Sequence, residues 1–145
     1  MAGVIAADIF GGVVANALCT CKRFYHVPLK ENEVGLTRRL KNPYFFSALH
    51  VYPLLVALLF PPGDWLYGVV WYAALLTSTV IALQVPLYLQ PPMAFLLITL
   101  AITTNFYLIE PVPGFKWLGP LLFLKIVYGH LVREEPYLPL MEPGV

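Results

Sequence analysis

Five apolar runs divide the chain, at about residues 3–19, 44–60, 65–87, 93–108 and 117–131. Each comes near the ~20 residues that an α-helix needs to cross the hydrocarbon of a bilayer. Pro61-Pro62, Pro91-Pro92 and Pro111-Val112-Pro113-Gly114 stand between runs, where a helix stops and the chain turns. The runs are too long and continuous for barrel strands, and backbone polar groups cannot stay unpaired in lipid. The pattern therefore predicts an all-α, polytopic membrane bundle of four to five transmembrane helices, built as one domain over residues 1–145. A basic loop at 22–41 and a short tail at 132–145 lie outside the spans.

Composition narrows the class further. Only 12% of residues are charged and mean hydropathy is +0.74, whereas a soluble domain carries roughly a quarter charged residues. The net charge of +1 and the single basic loop leave no electrostatic footprint for nucleic acid. Lys22, Arg23, Lys30, Arg38, Arg39 and Lys41 outnumber Glu31 and Glu33 in that loop, which by the positive-inside rule belongs on the cytoplasmic or matrix side. The N-terminus is then expected outside and the C-terminus inside. Ala15-Asn16-Ala17 resembles a signal cleavage site, but no basic stretch precedes the first apolar run, so removal is not expected.

Gly3, Ala7, Gly11 and Ala15 repeat at four-residue spacing, a small-residue ridge that lets another helix approach closely, within the bundle or from another subunit. Asp8, Gly12 and Asn16 form a second, partly polar row beside it. Asp8 and Lys125 are charges inside apolar runs, and an intramembrane charge requires a partner, an interior position or a reach to the interface. Asp8 is a candidate partner for Lys125. His50 and His130 lie on two different runs, an arrangement from which haem b takes two axial imidazoles; the plainer reading is two hydrogen-bonded histidines. Cys19, Cys21 and His26 lack a fourth ligand for a structural zinc site. Trp65, Tyr67, Trp71 and Tyr72, with Trp117, suggest an interfacial aromatic belt.

One further pattern lies in the first half. The exit of the first run reads Lys22-Arg23-Phe24-Tyr25-His26-Val27-Pro28, and the second run contains Leu49-His50-Val51-Tyr52-Pro53. These resemble a basic run followed by Tyr-Lys-Val-Pro and a Leu-Glu-Val-Tyr-Pro motif of the MAPEG superfamily, microsomal glutathione transferase 3 type, over roughly residues 1–70. The resemblance implies a helical membrane scaffold, homotrimeric assembly and glutathione as cosubstrate. The chain departs from that family at the chemistry: Pro43, Ser47 and His50 stand where an Arg, an Asn and a Glu would bind glutathione, and no Arg follows on later helices before Arg133. Fixed positive charge beside the thiolate is what lowers a thiol's pKa.

Three readings follow. The leading one is a non-catalytic accessory subunit of a multi-subunit complex, in the respiratory chain of the mitochondrial inner membrane. In it Arg38 and Arg39 contact other subunits or anionic phospholipid such as cardiolipin. The second is a MAPEG-type enzyme whose best polar groups are Arg23, Tyr25, Arg38, Arg39, His50 and Tyr52. The third is a haem b anchor.

Overall fold

The computed structural model describes residues 1–27 and 35–133. Among these the secondary structure is helical throughout: α1 (Ala2–Ala17), α2 (Cys19–His26), α3 (Leu36–Leu40), α4 (Pro43–Ala48), α5 (Tyr52–Leu59), α6 (Trp65–Gln84), α7 (Gln90–Tyr107) and α8 (Leu118–Phe123). A π-helical segment, Leu124–Leu131, continues α8. Two helices are long and apolar enough to cross a membrane: α6, with 20 residues, and α7 with its preceding turn, 21 residues over Leu87–Tyr107. The count rises to three if α1 and α2, which meet at a bend of 84°, are taken as one span.

Two expected spans come out shorter. The run at 44–60 is split into α4 and α5 around Leu49, His50 and Val51. Proline has no N–H for the carbonyl four residues back, so Pro53 cannot donate to Leu49 O, which accepts from Val51 N at 2.9 Å instead. Side chains take up two carbonyls just before the break: Tyr72 donates its hydroxyl to Ala48 O at 2.8 Å, and His50 Nδ1 donates to Phe46 O at 2.8 Å. Broken helices persist at membrane depth where side chains replace the missing backbone bonds in this way. The run at 117–131 forms α8 and the π-helical segment, of six and eight residues.

Helix ends follow local chemistry. Asn42 caps α4, its side chain accepting from Tyr44 N and Phe45 N, with Pro43 in the first turn; Asp64 caps α6 by accepting from Leu66 N. Short polar residues at this position satisfy N–H groups that have no helical partner. The break between α6 and α7 falls at Val85, extended ahead of Pro86, and a residue before proline is disfavoured in the helical region. Pro91-Pro92 lies within the first turn of α7, contrary to the expected turn, because the N–H groups missing there would have had no partner.

The core lies between α6, α7, the α8–π unit and α1. Tyr67, Trp71 and Leu75 on α6 belong to one buried cluster with Leu118, Leu122 and Ile126. Gly119 leaves room for the Trp71 ring, and Gly68 lets α5 approach α6 at Ala57. Tyr67 and Trp71 are therefore core residues, a correction to the expected aromatic belt; they lie on the buried face of α6 with Leu75, four residues apart along the helix. Trp65 remains outward, at 57% exposed.

Candidate functional site

The charged residues of the apolar runs meet on one side of the bundle. Lys125, on the π-helical segment, is 4% exposed. Its Nζ donates to Asp8 Oδ2 at 2.5 Å, while the Asp8 side chain is 43% exposed. Tyr52 lies beside the pair, with Lys125 Nζ 6.0 Å from its ring centroid. Gly12 creates the channel for the lysine, since a Cβ there would run into Lys125 Cε, Cδ and Nζ. One turn on, Asn16 Nδ2 donates to Lys125 O at 3.4 Å, and a Cβ at Gly129 would come within 3.0 Å of Asn16 Cβ. Lys125 thus satisfies two polar residues of α1, one by its ammonium and one by its carbonyl.

This arrangement assigns the two rows of α1 to different faces, about 100° apart around the helix. Ile5, Ile9 and Asn16 are buried against the rest of the molecule, with Gly12 beside them. Gly3, Ala7 and Gly11 are exposed, and nothing within 4 Å opposes Gly3 or Gly11. The small-residue ridge is not used inside the described bundle; Ala15 at its end is half-buried. Flanking it, Val4, Phe10 and Val14 are 72%, 51% and 65% exposed.

His50 and His130 approach one another through Phe46. The Phe46 ring stacks on His130 at 3.8 Å between centroids and meets His50 at 4.9 Å. A haem plane would need the space that Phe46 fills, so these residues do not fit axial ligation. His50 acts as the terminal hydrogen bond of α4, and His130 O accepts from His26 Nε2 at 3.0 Å. Among the described residues no three His, Cys, Asp or Glu side chains are placed to hold a metal ion; the Cys19 side chain lies outside the described set.

The remaining predicted residues gather at the basic end. Tyr25, Arg38, Arg39, Lys41 and Asn42 line an open cleft of about 880 Å³. A second cleft of about 460 Å³ shares Tyr25, Lys41 and Pro43 with it and adds His26, Gln90 and Arg133. Arg23 is exposed on α2 and lines neither cleft. The six residues read as one polar set thus split: Tyr25, Arg38 and Arg39 flank the basic clefts, whereas Tyr52 joins Asp8 and His50 caps α4. Lys30, Glu31, Glu33 and the tail from Glu134 lie outside the described residues. Lys41, read from sequence only as part of the basic loop, and Gln90, not singled out at all, join the clefts; a basic end beside a proline turn was the available signal.

Positions 47 and 50 bear on glutathione. Ser47 is 0% exposed and His50 7%, so neither presents a polar atom to a soluble tripeptide. The described residues define an all-helical protein with two helices suited to crossing a membrane, three if the bent pair is one span. No family model, curated protein or solved structure matches the chain.

Proposed function

We propose that this protein is a non-catalytic accessory subunit of a larger membrane complex, of the respiratory-chain type in the mitochondrial inner membrane. The observation that carries the reading is the outward Gly3-Ala7-Gly11 ridge. Internal packing of α1 uses Ile5, Ile9, Gly12 and Asn16 instead, so the small-residue face is left for a helix of another subunit, which it would admit at close backbone distance. In this reading α1, α4–α5, α6, α7 and the α8–π unit make the four to five crossings, the shorter ones completed by neighbouring subunits. The basic end then faces the matrix and contacts anionic lipid, cardiolipin among it.

Two alternatives are less well supported. A MAPEG-type glutathione transferase, acting as a homotrimer, would need a glutathione site at positions where Ser47 and His50 are buried. A haem b anchor would need the space between His50 and His130 that Phe46 occupies.

Extraction from the native membrane in mild detergent, followed by the mass and composition of the particle, tests the reading. Co-migration in fixed stoichiometry with a large complex is expected, and Gly11→Leu should release a folded subunit from it. A small homo-oligomer that binds glutathione would overturn the proposal.

A further inference from the structure

The smaller basic cleft lies at the level where α6 ends and α7 begins, at one end of the two helices best suited to span a bilayer. Its walls have two chemistries. Lys41 and Arg133 supply cationic side chains; Gln90, 5% exposed, lines the same space, and its Oε1 accepts from Arg133 N at 3.5 Å. An amide whose oxygen is engaged still carries two N–H donors. On the other side Leu83 and Leu87 present hydrocarbon. Lys41 Nζ also stands 5.1 Å from the Phe24 ring centroid.

We infer that this cleft seats one anionic phospholipid, its phosphate held by Arg133, Lys41 and the Gln90 amide and its acyl chain laid along Leu83 and Leu87. Cation and hydrocarbon in one cleft favour an amphiphile over a free oxoanion. A soluble phosphate uses the charged wall alone, whereas a lipid phosphate at a helix end meets that wall while its tail remains at hydrocarbon depth. Guanidinium supplies paired N–H groups matched to phosphate oxygens, which makes Arg133 the principal anchor. This inference rests on the proposed contact of the basic end with anionic lipid and names its site; it does not depend on the protein's being part of a larger complex, since every group it uses belongs to this chain.

The full-length protein, purified in mild detergent, is titrated with phosphatidylglycerol, with phosphatidylcholine and with inorganic phosphate, and bound lipid is counted by native mass spectrometry. One phosphatidylglycerol per chain should be retained at least about tenfold more tightly than phosphatidylcholine, as expected when two cations act on a net negative headgroup. Arg133→Gln and Lys41→Glu should each weaken it by about that factor, while Lys116→Gln, near the opposite end, leaves it unchanged. Helix content from circular dichroism identifies a variant that fails to fold, in which case the other decides. Equal retention of the two lipids, insensitivity to the folded cleft variant, or displacement of phosphatidylglycerol by inorganic phosphate as readily as by excess lipid would each overturn the lipid assignment; the last would indicate a free-oxoanion site.

Discussion

Asp8 and Lys125 lie 117 positions apart in sequence and form one ion pair, whose two ends differ in burial. Lys125 is almost fully enclosed, while Asp8 is close to half open. Removing the carboxylate, as in Asp8→Asn, leaves a buried ammonium without its counter-charge; because Asp8 is close to half open, the cost is about 2 kcal/mol, below that of breaking a fully buried pair. Removing the ammonium, as in Lys125→Met, leaves an aspartate that can turn outward, while methionine fills much of the channel over Gly12. That change should cost only about 1 kcal/mol. At 2.5 Å the Coulomb attraction is about 7 kcal/mol at an effective dielectric of ~20. The openness of Asp8 screens it, and a coupling of about 2 kcal/mol is expected.

The assay is a double-mutant cycle on the purified protein, unfolded by titration from mild detergent into denaturing detergent and followed by circular dichroism. Asp8→Asn should destabilise more than Lys125→Met, and the double variant should lie close to Lys125→Met alone. A coupling of about 2 kcal/mol appears as a roughly 30-fold departure from additivity in the unfolding constant. The exchanged pair, Asp8→Lys with Lys125→Asp, should recover part of the loss. Equal single costs that simply add would refute the reasoning, because the asymmetry follows from burial and the coupling from contact.

Further expectations concern the neighbourhood of this pair and the helix break. Gly12→Ala should destabilise by about 1–3 kcal/mol, because the new methyl displaces the Lys125 stem, whereas Gly11→Ala, facing open space, should leave the isolated protein's unfolding midpoint unchanged. Tyr72→Phe removes the hydroxyl from Ala48 O and should cost about 0.6–1.5 kcal/mol, measured in the same titration. Phe46→Ala takes out the ring packed on both His50 and His130 and should cost about 3–5 kcal/mol; a midpoint within error of wild type would show that the aromatic cluster does not support α4.

The helical class was legible because uninterrupted apolar runs admit few alternatives in lipid, and the pairing of Asp8 with Lys125 could be suggested because few charges were available to pair. What hydropathy could not resolve was continuity. A run of apolar residues through Tyr44–Phe60 reads the same whether or not Pro53 opens it, and the deciding groups, Tyr72 and the His50 ring, are respectively distant in sequence and ambiguous in role. The aromatic belt failed for a related reason. Tyr67 and Trp71 cluster with Trp65 in sequence near the start of α6, but a helix turns 100° per residue, so neighbours in sequence need not share a face.

The two rows of α1 suggest a more general criterion. Both have small residues at helical spacing, and spacing alone assigns neither to the inside. The row with Asp8 and Asn16 carries groups whose desolvation requires partners, and this chain supplies them at one residue, through Lys125 Nζ and Lys125 O. The Gly3-Ala7-Gly11 row requires nothing of the chain's own interior. Polar demand therefore decides which ridge is satisfied within the bundle, and the undemanding ridge remains open to a neighbouring helix. The criterion has a consequence for exchange of residues between the rows. Asp8→Ala combined with Ala7→Asp moves the carboxylate by one position, about 100° around the helix, away from Lys125 and onto the outward ridge. Folding should then weaken by at least as much as in Asp8→Asn, and association through that ridge should weaken too. Retention of wild-type stability by this variant would mean that the ion pair does not orient α1.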